Sequence, residues 1–152
     1  MIAEMLKKEN VQIVESVADW KEAINVAVQP LVDGGYVEAR YIDGIIENTY
    51  AMGPYYVLID DVALLHARPE QGCIEKQLGV TIVHEPVHFA EDGSKDARLL
   101  VTLSATDGEG HIAVMGALAS LFMNEEKIAT LVNSNSVDEV YEIFMNANDD
   151  EF

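Results

Sequence analysis

The sequence predicts an α/β sandwich, a mixed central β-sheet flanked by helices, formed as a single domain over residues 1–152. Three observations predict it. Helical periodicities fill the opening and closing parts of the chain. Between them lie short β-rich runs, YYVLI, LGVTIV and ARLLVTLSA, bounded by turn residues, as buried strands of a covered sheet read. Helices first, strands in the middle and helices last do not fit a strictly alternating parallel arrangement. A length of 152 residues suits one core, and a hydrophobic content of 49% is ample to fill it. The end of the chain, from about residue 147, is expected to fray.

Taken in order, residues 1–9 read as a short helix and VQIVES as a short strand. Asp19 with Glu22 three positions on forms a capping-box pattern. The helix it opens carries Trp20, Ile24, Val28 and Leu31 at helical spacing, and Gly34-Gly35 ends it. A second helix is expected from about Glu38 to Tyr50, with Tyr41, Ile45 and Ile46 on one face, closed by Gly53-Pro54. The three β-rich runs follow. After DGEG a helical pattern returns through Ile112, Met115, Leu118, Ala119 and Phe122. Ser136 with Glu139 makes another capping box, ahead of Val137, Val140, Tyr141, Ile143 and Phe144.

Charge narrows the partners. Twenty-seven acidic residues against nine basic ones give a formal charge of −18. Such a chain repels phosphate backbones and anionic membrane surfaces, so no nucleic-acid binding is expected; it could steer basic protein partners, although charge alone is explained more simply by solubility. The longest apolar runs fall far short of the ~18–20 residues that cross a bilayer, so no membrane insertion is expected. MIAEMLKKEN lacks the clean apolar stretch of a secretory signal, and one cysteine, Cys73, excludes an internal disulfide. Both suit a cytoplasmic location. Apolar helix faces would serve equally to close a homodimer or the core.

The candidate chemistry lies in four histidines. HEPVH, residues 84–88, matches H-E-x-x-H literally, but zinc proteases need that motif inside a helix. Here a β-branched run precedes it and Pro86 sits inside it. In extended chain His84 and His88 lie ~13 Å apart, too far to share a metal. His111 opens a helix after a Gly-rich turn, where its position fits an ordinary capping contact as well as a functional one. Asp60 and Asp61 are adjacent, so in a strand they face opposite ways and form no acid/base dyad. No Gly-rich nucleotide loop or G-x-S-x-G elbow is present, and Cys73 has no C-x-x-C partner.

His66 differs in its neighbours. LLHARPEQG, residues 64–72, brings a leucine pair into an imidazole, followed by Arg68 and Pro69. A neutral imidazole can attack phosphorus, and a guanidinium nearby offers a planar donor fork to the arriving oxygens. A lone histidine at a strand end is otherwise a structural residue.

In these residues the chain resembles the enzyme IIA components of the bacterial sugar phosphotransferase system, mannitol/fructose superfamily, with its nearest likeness in the ascorbate-type branch. The resemblance runs through the Trp20 helix, VEARYIDGI, GPYYVLIDDVALLHARPEQG, LLVTLSATDGEGHIAVMGALASLF and SVDEVYEIF. Its most specific piece is G-P-Y-hydrophobic-V followed by A-x-x-H-[AG]-R-P-E, joined to a second histidine within D-x-x-x-H. It implies the mannitol/fructose-type IIA fold and a type-2 IIA domain across 1–152. His66 is then the phosphorylated histidine, reacting at Nε2 with Nδ1 held by an acceptor, and His111 the auxiliary histidine beside it. For Arg68 the inferred role is to stabilise phosphate charge. The implied partners are the phosphocarrier HPr as donor, a IIB component as acceptor and, through IIB, a membrane IIC permease. No cofactor, neither ATP nor metal, is called for. L-ascorbate or a related sugar acid or pentitol is the implied cargo of the system. Two rival readings remain at this point: a phosphorylation-dependent regulatory module of the same fold, and a non-catalytic acidic interaction domain.

Overall fold

A computed structural model of the chain describes residues 2–106 and 108–147, with residues 108–111 and 113 described by their backbone alone. The expected fraying falls chiefly on residues 148–152, outside the described residues. In chain order the elements are α1 (Ile2–Met5), β1 (Leu6–Val14), α2 (Trp20–Asp33), α3 (Arg40–Met52), β2 (Val57–Ile59) and β3 (Asp61–Leu65), followed by a 3₁₀ turn (Pro69–Gln71). Then come β4 (Gln77–His88), β5 (Asp96–Ser104), α4 (Gly108–Phe122), α5 (Glu125–Val132) and α6 (Val137–Met145).

The strands form one sheet in the order β1-β4-β5-β3-β2. β1 runs parallel to β4 and β3 parallel to β5, whereas the β4–β5 and β2–β3 pairs are antiparallel. The sheet is therefore mixed, as predicted. Because successive strand residues face opposite sides, it builds two cores at once. Val62, Leu64, Val80, Ile82 and Val101 pack with α1, α4, α5 and α6 on one face. Ala63, Leu65, Val83 and Leu100 pack with α2 and α3 on the other.

Both predicted helix starts are made. The Asp19 carboxylate accepts the Glu22 N–H at 2.9 Å, with Glu22 reaching back to the Ala18 N–H, and Ser136 Oγ accepts the Glu139 N–H at 3.1 Å. Each satisfies a backbone donor that the helix itself leaves over. Elsewhere the boundaries differ. The opening helix stops at Met5, and from Leu6 the chain is already strand, pairing with β4 on either side of a bulge between Leu6 and Val11. That bulge carries the polar KKEN run, which otherwise mimics helix surface. HEPVH lies wholly within β4, whose pairing with β5 is irregular between Ile82 and Val87, where Pro86 cannot donate to the ladder. The expected strand YYVLI narrows to Val57–Ile59, and helix α5 was not anticipated.

Candidate functional site

β3 delivers His66. Leu64 and Leu65, the last residues of the strand, are fully buried on opposite faces of the sheet, and the chain then leaves the ladder half-exposed at His66. The burial of the two leucines anchors the imidazole from below. His66 Nδ1 lies 2.7 Å from the Leu64 carbonyl oxygen. A carbonyl only accepts, so Nδ1 carries the hydrogen, and in the neutral ring the nucleophilic lone pair belongs to Nε2.

Two tyrosines take hold of the next peptide unit. The Tyr55 hydroxyl donates to the His66 carbonyl, and its ring stands edge-on to the imidazole, with centroids 5.2 Å apart at 88°. The Tyr41 hydroxyl accepts the Ala67 N–H at 2.9 Å and donates to the Leu103 carbonyl at 2.8 Å. Burial pushes both phenols above their ordinary pKa, which keeps them protonated donors. Behind them, the Asn48 amide reaches Tyr55 Oη at 3.4 Å and exchanges hydrogen bonds of 2.9 and 3.2 Å with the Gln71 amide. Gln71 Oε1 also accepts the Arg68 N–H at 2.9 Å, tying the 3₁₀ turn to the loop that follows His66. Gly44 on α3 makes room for it: an added Cβ would stand 3.1–3.2 Å from the Gln71 side chain.

These residues enclose a cleft of about 350 Å³ between α3 and the ends of β3 and β5, lined by Tyr41, Asn48, Met52, Tyr55, His66 and Arg68 among others. Arg68 is exposed, and its Nε is 3.1 Å from Glu70. Sequence-predicted His66 and Arg68 thus share one cleft. His111 falls in the first turn of α4, which begins four residues after the end of β5, at the same end of the sheet as His66. Its side chain lies outside the described residues.

Other candidates stand apart. Asp61 is at the opposite end of β3, at φ 71°, with its carboxylate on Arg98 at 2.9 and 2.6 Å. That fork keeps its charge away from His66. His84 and His88 bond to different partners, His84 to Glu15 and the Ser134 carbonyl, His88 to Asp96. Among the described residues no cluster of three metal-ligating side chains occurs, and no helix is long and apolar enough to cross a membrane. Cys73 is a half-buried free thiol after the 3₁₀ turn.

Sequence reasoning missed Tyr55, Asn48 and Gln71 and read Tyr41 only as a core-facing residue of its helix. Tyr55 was marked only as the Y of the G-P-Y motif and Asn48 only as an amide on a helix face that proves buried, whereas Gln71, in a half-exposed turn, carried no local signal.

A family model described as phosphoenolpyruvate-dependent sugar phosphotransferase system, EIIA 2, matches residues 4–147. The mannitol-specific cryptic phosphotransferase enzyme IIA component of Escherichia coli is 32% identical over 142 residues, covering 93% of this chain and 96% of the relative. The ascorbate-specific EIIA component of Escherichia coli is 26% identical over 146 residues, covering 95% of this chain and 94% of the relative. Among solved structures, the complex of mannitol enzyme IIA with phosphorylated enzyme IIB from Escherichia coli superposes with a TM-score of 0.81 at 29% identity, covering 93% of this chain and 99% of that one.

Proposed function

The chain belongs to the phosphoenolpyruvate-dependent sugar phosphotransferase system EIIA 2 family, and we propose that it carries the phosphoryl group on Nε2 of His66, taking it from the phosphohistidine of HPr and passing it to a IIB component. The observation that carries this reading is the Nδ1–H bond to the Leu64 carbonyl at 2.7 Å, in a ring lining the cleft. The Nε2 lone pair forms the new N–P bond as the donor's N–P bond breaks and its electron pair returns to the donor nitrogen. A donor ring protonated at its other nitrogen leaves as neutral imidazole. His66 keeps its Nδ1 hydrogen and becomes a phosphoimidazolium, whose positive charge the Leu64 carbonyl dipole stabilises. No net proton moves, so no general base is called for.

Arg68 is proposed to turn from Glu70 toward the phosphoryl oxygens during transfer. Exposed ion pairs of this kind are worth at most ~1 kcal/mol, so the exchange costs little. His111 is proposed as the auxiliary histidine. The complex between a related mannitol IIA and phosphorylated IIB supports IIB as the acceptor. A IIC permease acts through IIB, in a system for L-ascorbate or a related sugar acid or pentitol. The relative named for mannitol extends that class to hexitols. The acidity of the chain fits a donor with basic residues around its own histidine.

The test is incubation with phosphoenolpyruvate, the general enzyme of the system and HPr. Acid-labile, base-stable label is expected on the wild type and none on His66→Ala; equal labelling of both defeats the assignment. His111→Ala should label slowly, and full-speed labelling would make that residue structural.

A further inference from the structure

We propose that Tyr55 is a positioning residue for phosphoryl transfer: its hydroxyl and ring hold the His66 peptide and imidazole so that the hydrogen stays on Nδ1 and the nucleophilic lone pair on Nε2. The inference rests on the reading of His66 as the phosphoryl carrier and adds the residue that keeps it in one reactive form.

Beyond Leu65 the chain has left the β-ladder, so the His66–Ala67 peptide has no strand neighbour to hold it. An imidazole on such a segment would rotate and would populate both tautomers, each offering a different nitrogen to phosphorus. The Leu64 carbonyl selects the Nδ1–H form only while the ring stays turned toward the strand. Among the described residues, three contacts help to keep it there. The Tyr55 ring is edge-on to the imidazole, 5.2 Å between centroids. The Tyr55 hydroxyl bonds the carbonyl of His66 itself. Tyr41 takes the following N–H at 2.9 Å, so the peptide unit is gripped at both of its polar ends by two phenols.

The direction of the Tyr55 hydrogen is also determined. Asn48 Nδ2 lies 3.4 Å from Tyr55 Oη and can only donate to it, which leaves the phenol hydrogen for the His66 carbonyl. Asn48 is in turn paired with Gln71 at 2.9 Å, and Gln71 with the Arg68 N–H at 2.9 Å. One polar chain therefore runs from α3 through Tyr55 to the carrier and from α3 through Gln71 to the arginine beside it. A tyrosine that merely filled space would not need its hydroxyl on the backbone of the reacting residue. Tyr55 is suited to the role because it orders only two side-chain torsions and remains protonated, its phenol held above the ordinary range by burial.

Long-range ¹H–¹⁵N correlation of ring-labelled protein reads the tautomer directly, and steady-state transfer from phospho-HPr reads its consequence. The wild type should show His66 in the Nδ1–H form. Tyr55→Phe, which keeps the ring and its buried area, should show a mixture of tautomers and a kcat about tenfold lower with KM for phospho-HPr unchanged, the scale of one lost hydrogen bond. Tyr55→Leu, which removes the ring as well, should lower kcat further, with Phe standing between Leu and Tyr. If Tyr55→Phe keeps the wild-type tautomer, the positioning role is overturned, whatever happens to the rate. A wild type that accepts no phosphate would remove the carrier reading instead, while the tautomer comparison still decides what Tyr55 does.

Discussion

Two histidines stand at opposite ends of the same sheet, His66 after the end of β3 and His84 toward the end of β4, and their hydrogen bonds give them opposite chemistry. At His66 a backbone carbonyl claims Nδ1, which assigns the ring hydrogen and makes Nε2 the basic nitrogen. At His84 both nitrogens meet groups that only accept: Nδ1 the Glu15 carboxylate at 2.9 Å, Nε2 the Ser134 carbonyl at 2.8 Å. Satisfying both requires two ring hydrogens, so the environment favours the cation and raises the His84 pKa, the Ser134 carbonyl first and Glu15 second. A ring in that state has no lone pair to give to phosphorus. It is instead a clamp between β4, the end of β1 and the turn between α5 and α6. The comparison teaches that the partners of a histidine, more than its exposure or its motif, decide whether it can be a nucleophile.

The largest effect expected from this contrast is a crossed result. His66→Ala should lower phosphoryl acceptance by ~100-fold or more, while His84→Ala leaves it within about twofold of wild type. Urea unfolding should show the reverse order, the midpoint falling for His84→Ala and staying near wild type for His66→Ala. Loss of labelling in the His84 variant, with its fold intact by circular dichroism, would break the distinction. Next in size is Arg68→Ala, expected to slow acceptance by roughly tenfold through lost charge stabilisation, with Arg68→Lys recovering only part because an ammonium lacks the planar fork. Transfer rates at fixed salt decide it, and a fully active Arg68→Ala would leave the arginine as a partner of Glu70 alone.

Much of this arrangement was legible in the sequence, and the limit falls where pairing ceases to be local. The caps at Asp19 and Ser136 reach three residues along the chain, so their signatures survive in the text of the sequence. Leu64-Leu65 announces a buried strand end and so places His66. Helix α5 escaped because its cap, Asn124, is followed by Lys127 where a capping box has Glu or Gln, and the helix is only eight residues long. β1 was entered too late because its polar bulge hides the strand period. The contacts that fix the site join residues 11, 23 and 26 positions apart: Tyr55 to His66, Asn48 to Gln71, Tyr41 to Ala67. No periodicity encodes such pairs. The sequence could rule HEPVH out as a metal site from Pro86 and the β-branched run, but the tie from His84 to Ser134, 50 residues on, required the fold.

Asp61 adopts φ 71°, a conformation unfavourable for a residue with a side chain, and its bidentate bond to the half-buried Arg98 holds it there. Arg98→Ala should therefore cost about 1–3 kcal/mol in urea unfolding, on the scale of hydrogen bonds to charged groups, without slowing phosphoryl acceptance. A loss of acceptance equal to that of Arg68→Ala would mean the two ends are coupled.

The smallest effect is the most specific. Because the His84 pKa is raised in the folded chain above the ordinary value of 6.5, folding takes up protons at this site in the interval between the two values. The stabilisation from the clamp is complete below about pH 6.5, declines as pH rises through the folded pKa, and is absent above it. The groups facing the ring are the Glu15 carboxylate and the Ser134 carbonyl. Urea midpoints for wild type and His84→Gln, taken from about pH 5.5 to about pH 9, should differ most at the acid end and converge at the alkaline end. A difference that is flat with pH would mean that His84 contributes through packing. One that grows toward alkaline pH would mean that the neutral ring is the form the fold prefers, and the opposition between the two histidines would then have to be given up.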